Sequence, residues 1–288
     1  MTKEISIGKI KIGGENPLVI IAGPCVVESR ELALKVARDA RKITDKLGLP
    51  YIYKSSYKKA NRTSGEAFAG IGMDKALKIL EEVKREFDLP VLTDVHSESE
   101  VDVVAMVADV LQIPAFLCRQ TELLQSAGKT GKAVNIKKGQ FMAPEDMRLQ
   151  AQKIAAPVPA GVGNPKVMLT ERGTTFGYHN LVVDMRSLLI MKGSGYPVIL
   201  DVTHSLQLPG AEKDKTGGQP QYIFPIARAG VAVGVDGIFL ETHPEPAKAL
   251  SDASTQLALD HFEPLLAQVK KIDLLRRELT ASESSTSR

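Results

Sequence analysis

Along this chain, short apolar runs alternate with stretches in which apolar residues return every three or four positions. The runs are PLVIIAG (17–23), YIYKS (51–55), PVLTDV (90–95), DVLQIP (109–114), AVNIKK (133–138), KVMLTER (166–172), PVILDVTH (197–204) and GIFLETH (237–243). They are rich in β-branched residues and bounded by turn formers, the pattern of strands buried on both faces. After the first run, Leu32, Val36, Ala40, Ile43 and Leu47 form one helical stripe. Ser29 stands where a side chain caps the first turn, and Gly48 with Pro50 stops the helix. A second stripe, Met73, Leu77, Leu80, Val83 and Phe87, has Asp74 near its start and Pro90 beyond its end.

Eight strand and helix alternations within about 250 residues match the size and period of a (β/α)8 TIM barrel, an α/β fold. An open doubly wound sheet normally carries a glycine fingerprint after its first strand. The glycines at GIG (70–72), GVG (161–163) and GSG (193–195) do not complete it, and no phosphate-binding loop motif is present, so a nucleotide cofactor has no support. Before the first strand, EISIGKIKIGG alternates Ile5, Ile7, Ile10 and Ile12 around Gly8 and Lys9. That pattern predicts an N-terminal β-hairpin over residues 1–14, closing the bottom of the barrel. The tail TASESSTSR has no apolar residue beyond Ala281, which predicts disorder over 281–288. The expected organisation is a single barrel domain over 1–280.

Net charge is only +3, aromatics are 5% and tryptophan is absent, so neither a phosphate-backbone stripe nor a base-stacking platform is indicated and nucleic acid is not an expected partner. Two distant cysteines, Cys25 and Cys118, fit a reducing compartment, and a cytoplasmic location is expected. The run PLVIIAGPCVV is too short to span a bilayer, and Pro24 before Cys25 with Glu4 and Glu15 upstream argues against a lipoprotein signal, so no membrane association is expected.

Catalytic groups of such barrels come from the C-terminal ends of the strands. Those ends supply, in order, Cys25, Lys54, Asp94, a Gln112–Pro114 turn, Lys137 with Lys138, Glu171 with Arg172, Asp201 with His204, and Glu241 with His243. Lys54, Lys137, Lys138 and Arg172 are expected to converge on one mouth, with Lys58, Lys59 and Arg62 nearby, and such a set suits an anionic guest. Taken alone, YKKANR reads as a solvated basic loop. Cys25, His204, Glu241 and Asp252 can surround one divalent ion if the barrel closes, although their linear spacing carries no motif and a buried inert thiol with a hydrogen-bonded imidazole stays open.

The segments IAGPCVVES, KSSYKKANRTS, TDVHSESE, LQIPAFLCRQTELL, NIKKGQFMAPEDM, TERGTTFGYHNLVVDMRSL, DVTHSLQLPG, FPIARAGVAVGVDGIFLETHPEP and ALSDASTQL resemble the 3-deoxy-manno-octulosonate 8-phosphate (Kdo8P) synthase family, in order, from about residue 15 to residue 275. The resemblance implies condensation of phosphoenolpyruvate with arabinose 5-phosphate, a step toward the lipopolysaccharide inner core, by a barrel that is usually a homotetramer. Members with Cys at the position of Cys25 are metal-dependent, which implies Cys25, His204, Glu241 and Asp252 as ligands of one divalent ion: iron, zinc, manganese or cobalt. The family pattern places Lys59, Lys137, Arg172, Gln112 and the backbone at Ala115 around phosphoenolpyruvate, and Asn61, Arg62 and Thr63 around the pentose phosphate. It sends Arg119 to the phosphate of a neighbouring subunit's substrate, and Asp94 and Lys54 complete the mouth. Lys59, Lys137, Asp94 and His204 are the implied catalytic groups, with Lys59 or Lys137 as proton donor.

Departures from the family pattern stand at Lys58, where Asp is common, at Ala69, at His179, and at Pro220 and Gln221. Two other readings compete. A 3-deoxy-arabino-heptulosonate 7-phosphate (DAHP) synthase, which uses erythrose 4-phosphate, usually shows Lys-Pro-Arg where this chain has Lys59, Ala60, Asn61 and Arg62. A catalytically silent relative that binds sugar phosphate is the other.

Overall fold

The computed structural model describes residues 2–60, 68–156, 165–210 and 217–286. An N-terminal hairpin, β1 (Ile5–Ile7) and β2 (Ile10–Ile12), precedes eight parallel strands: β3 (Val19–Gly23), β4 (Tyr51–Lys54), β5 (Val91–Asp94), β6 (Val110–Ile113), β7 (Ala133–Lys137), β8 (Val167–Glu171), β9 (Val198–Asp201) and β10 (Gly237–His243). Each of the eight pairs with its neighbours in sequence, and β10 also pairs with β3, which closes the sheet into the expected (β/α)8 barrel. Every one of the eight apolar runs forms a barrel strand. Around them lie α1 (Arg30–Leu47), α2 (Met73–Phe87), α3 (Glu98–Val107), α4 (Thr121–Lys129), α5 (Met147–Ala155), α6 (Met185–Gly193), α7 (Ile223–Val233) and α8 (Phe262–Thr286). Among the described residues, no helix is long and apolar enough to cross a membrane.

Strand alternation divides the barrel interior into levels. Val19, Ile21, Ile52, Leu92, Val110, Ala133, Met168, Ile199 and Phe239 point inward at the lower level and pack with Ile5, Ile7 and Ile12 of the hairpin. The hairpin turns at Gly8 (φ +56°), with Ile5 opposite Ile12 and Ile7 opposite Ile10, so one face plugs the barrel floor. One step up, the inward positions are polar: Lys54, Asp94, Gln112, Asn135, Lys137, Thr170, Asp201 and Glu241. Tight closure depends on Gly237, where a Cβ would stand 2.3 Å from Val19 Cγ1 and 2.8 Å from Ile199 Cδ1.

Helix α1 begins and ends as its sequence predicts. Ser29 Oγ accepts the Leu32 N–H, and Gly48 adopts the left-handed conformation after the last turn. Its buried face is shifted from the predicted stripe: Ala33, Leu34, Val36, Ala37, Ala40 and Thr44 are buried, while Leu32, Ile43 and Leu47 flank them half-buried. Small alanines let the helix sit close to the strands, and Thr44 loses its polarity by donating to the Ala40 carbonyl. Helix α2 ends on Asp88 at φ +48°, a position usually given to Gly.

The tail expected to be disordered from residue 281 instead continues α8 to Thr286. After Pro264 no Gly or Pro interrupts that helix, and extending an established helix costs little per residue. Replacing the plug residue, Ile12→Ala, is expected to lower unfolding free energy by about 2–5 kcal/mol, read as a lower urea midpoint with an unchanged slope.

Candidate active site

A cavity of about 230 Å³ opens at the C-terminal ends of the strands, lined by Lys54, Lys59, Ala60, Asp94, His96, Gln112, Lys137, Gln140, Arg172 and His204. Its remaining wall is the turn after β6, where Pro114 ends the strand and Ala115, Phe116 and Leu117 follow in one short helical turn. The cavity sits directly above the polar level of the barrel interior.

The cations at this mouth are largely neutralised from within. Lys54 Nζ, fully buried, bonds Glu241 Oε1 at 2.6 Å and the Cys25 carbonyl at 3.0 Å. Lys137 pairs with Asp201, and its ammonium stands 3.7 Å over the Phe239 ring. Burial pulls the Lys137 pKa below its ordinary value, with Lys54 and Arg172 adding to the effect and Asp201 opposing it. The expectation that Lys138 and Glu171 join the mouth is corrected. Lys138 is fully buried against Thr174 Oγ1 at 2.9 Å and Glu171 Oε1 at 3.4 Å, while Glu171 also accepts from Ser187 and from the Gly173 N–H. Their side chains bind the loop after β8 to α6 and β7.

Among the described residues, Arg172 and Lys59 remain the cations of the mouth with spare capacity. Arg172 is buried and gives Nη2 to Gln207 Oε1 at 2.6 Å, but its buried Nη1 has no hydrogen-bond partner among the described residues. A guanidinium left so in a cavity wall is suited to an anion. Lys59 Nζ lies 3.6 Å from Glu241 and 3.8 Å from Asp252. Burial works against its charge, yet Cys25, Glu241 and Asp252 overcome that and hold it well above the usual lysine pKa.

A polar chain crosses four strands beneath the cavity. Ser56 donates to Asp94 Oδ2; Gln112 Nε2 donates to Asp94 Oδ1 at 2.6 Å; Asn135 Nδ2 donates to Gln112 Oε1 at 2.9 Å; and Thr170 Oγ1 donates to Asn135 Oδ1 at 2.6 Å. Both ends of the Gln112 amide are thus engaged, and its place in the cavity wall is that of a group orienting Asp94. Burial opposes the Asp94 charge, but Lys54 and Lys59 hold its carboxyl well below the ordinary range.

Beside the cavity, Cys25 Sγ, Glu241 and Asp252 offer ligand atoms within 4.8 Å of one another. Cys25 Sγ is 3.2 Å from Asp252 Oδ2 and 3.0 Å from Ser251 Oγ. His204 stands next to two of the three, with Nε2 at 3.4 Å from Glu241 Oε1 and 3.7 Å from Asp252 Oδ2. Its Nδ1 faces Asp201 Oδ2 at 2.7 Å, which fixes Nδ1 as the protonated nitrogen and leaves the Nε2 lone pair for the cluster. Glu241 Oε2 is buried with no hydrogen-bond partner among the described residues. Burial, with Asp252 and Glu241 nearby, pushes the Cys25 thiol well up. A thiol, an imidazole nitrogen and two carboxylates, one of them with a buried oxygen that has no hydrogen-bond partner among the described residues, fit a divalent ion.

Of the expected site residues, Lys54, Lys59, Asp94, Gln112, Ala115, Lys137, Arg172 and His204 line the one cavity, and Cys25, Glu241 and Asp252 cluster beside it. Arg119 is exposed outside the cavity, at the rim after β6. Asn61, Arg62 and Thr63 lie outside the described residues. His96, Gln140 and Phe116 line the cavity without having been singled out, and Asp201 proves to be the partner of both Lys137 and His204. Asp201 was visible as a strand end, and His96 stands two residues after Asp94, a place the barrel rule would have flagged. Gln140 and Phe116 lie in loops whose course no spacing reveals.

The sequence profile of the DAHP synthetase I family matches residues 2–277. Similar chains include the protein named 2-dehydro-3-deoxyphosphooctonate aldolase from Trichlorobacter lovleyi, 53% identical over 277 residues, covering 96% of this chain and all of that one. The proteins of the same name from Acidithiobacillus ferrooxidans and Pelobacter propionicus are each 54% identical, the first over 91% of both chains and the second over 95% of this chain and 98% of its own.

Two outcomes are expected. Asp201→Asn strips a buried ammonium of its anion and lowers unfolding free energy by about 3–5 kcal/mol, measured by urea titration. Because the folded Asp94 pKa is depressed, its stabilisation is fully present above the unfolded value near ~4 and is lost as pH falls through the folded value. Asp94→Asn is therefore expected to flatten the acid limb of stability against pH below about 4.

Proposed function

The chain belongs to the DAHP synthetase I family, and from that premise we propose that it condenses phosphoenolpyruvate with arabinose 5-phosphate and water, giving 3-deoxy-manno-octulosonate 8-phosphate and inorganic phosphate. The observation that carries this reading is the junction, at one barrel mouth, of Lys59, Lys137 and Arg172 with the Cys25, Glu241 and Asp252 cluster. The names of the relatives denote an eight-carbon product, which favours the pentose over the four-carbon sugar of a DAHP synthase. Four of the five departures fall away from the cavity: Ala69, Pro220 and Gln221 are exposed, and His179 Nδ1 bonds the Pro209 carbonyl at 2.6 Å. They give the silent-relative reading no support at the reacting centre.

In this reaction the enol carbon attacks the aldehyde carbon, the aldehyde oxygen takes a proton, water adds at the neighbouring carbon, and phosphate leaves the resulting hemiketal. Arg172, whose Nη1 has no hydrogen-bond partner among the described residues, binds the anionic groups of phosphoenolpyruvate, and Lys59 and Lys137 flank it. Lys137 suits the proton donor role, because burial weakens its hold on the proton, whereas Lys59 is held charged by the carboxylates around it. The proton returns through Asp201, which is paired with Lys137. Asp94, fixed as an anion by Gln112 and Ser56, sets the electrostatics opposite the lysines.

Cys25, His204, Glu241 and Asp252 would hold the metal; once bound, a divalent iron, zinc, manganese or cobalt ion supplies Lewis acidity to the aldehyde or to water. Arg119, exposed at the rim, suits the phosphate of a neighbouring subunit's substrate, and exposed Phe141, Phe176 and Leu189 suit burial in a homotetramer. A cytoplasmic location goes with these soluble substrates.

Phosphate release is expected only when both substrates are present, to fall after chelator treatment and to return with divalent metal. Arabinose 5-phosphate is expected to be turned over well ahead of erythrose 4-phosphate. Full activity after complete stripping overturns the metal assignment, and preference for the four-carbon sugar overturns the substrate.

A further inference from the structure

The reaction above makes no use of Lys58. Its ammonium pairs with Glu100 in the first turn of α3. The same carboxylate accepts the Tyr57 hydroxyl at 2.5 Å and the backbone N–H of His96 at 3.1 Å. Since the Tyr57 proton goes to Glu100, His96 Nδ1–H donates to the Tyr57 oxygen at 3.1 Å. Tyr57 is fully buried, and the two rings meet edge-on with centroids 5.5 Å apart. Burial works against the Glu100 charge, but the Lys58, Tyr57 and His96 donors overcome it and lower its carboxyl to about 2.

On the far side of the loop, the Lys59 N–H donates to the Ala69 carbonyl at 2.8 Å. The Lys59 backbone is therefore held from α3 through its two preceding residues and from residue 69 through its own amide. Its ammonium meanwhile reaches Glu241 and Asp252, and His96 lines the same cavity wall. A half-exposed ion pair adds little to global stability. A displacement of Lys59 by about 1 Å is enough to cost on the order of a hundredfold in rate. The value of the network is thus in placement.

We propose that Lys58 and Glu100, through Tyr57 and His96, form a latch that positions Lys59 in the barrel mouth. Lys58 and Glu100 are positioning residues, and the proposal rests on the reading in which Lys59 meets the reacting groups. Lys58→Asp sets two carboxylates against each other and opens the latch further than Lys58→Met. Adding Glu100→Gln to Lys58→Asp removes the repulsion and keeps an oxygen for the Tyr57 and His96 donors.

The test combines hydrogen exchange at residues 57–60 with steady-state kinetics and urea midpoints, on the metal-loaded full chain. Lys58→Met is expected to speed exchange there and to lower kcat roughly ten- to hundredfold, with the urea midpoint unchanged. Lys58→Arg keeps wild-type behaviour. Lys58→Asp falls further, and the Lys58→Asp/Glu100→Gln pair recovers both protection and most of the rate. Unchanged exchange in Lys58→Met and Lys58→Asp overturns the latch, as does a rate loss that tracks the urea midpoint and is not recovered in the pair. Exchange requires no turnover, so ordered exchange changes with no phosphate release from the wild-type chain defeat the assigned reaction and leave the latch standing.

Discussion

One buried ion pair organises the mouth of this barrel. Lys54 at the end of β4 and Glu241 in β10 meet at 2.6 Å with neither side chain in contact with solvent, and they do so across β3, which pairs with both strands. The same ammonium donates to the Cys25 carbonyl, just beyond the end of β3. A single cation thus ties together three neighbouring strand ends, two of which carry members of the thiol and carboxylate cluster. Such a pair repays its desolvation only with good geometry, and losing either partner leaves the other charge stranded. Its role is to fix the Glu241 carboxylate, whose Oε1 also stands 3.4 Å from His204 Nε2 and whose Oε2 has no hydrogen-bond partner among the described residues.

The same economy runs round the barrel. Lys137 is paired with Asp201, and Asp201 in turn orients His204; Asp94 is held by Gln112, which is held by Asn135, which is held by Thr170. Every barrel strand contributes an apolar residue to the plugged floor, and all but β3, which reaches Gly23 there, place a polar one two positions on. The result is a mouth whose charges are mostly compensated before any substrate arrives, so the anion-binding capacity concentrates on Arg172 and Lys59. That is the arrangement preorganised catalysis needs, since little has to move as charge develops.

Much of this was legible from residue order. The eight apolar runs read as strands, and the hairpin read as a plug, because a period of two and turn glycines are local signals. Strand ends named half of the cavity lining. What residue order could not give was direction: Lys138 and Glu171 flank the mouth in sequence but turn outward to bind a loop, because a strand alternates its faces and adjacent positions cannot both point inward. The stripe on α1 was displaced because alanines and Thr44, weak in any hydrophobicity count, pack closest. Continuation of α8 past Ala281 was missed because a polar composition is compatible with a helix that packing has already started. Lys58 read as one more cation for the anionic guest and as a departure from the family pattern; it lies outside the cavity lining, because its ammonium is taken by Glu100, forty-two positions away.

The central claim is that the closure of the barrel builds a metal site from Cys25, His204, Glu241 and Asp252. X-ray absorption at the metal edge of the loaded protein tests it most directly. The account predicts a first coordination shell with a single sulfur, from Cys25, and the remainder nitrogen and oxygen, with the sulfur lost in Cys25→Ser. A shell without sulfur in the wild-type protein, or a spectrum unchanged by that substitution, contradicts it.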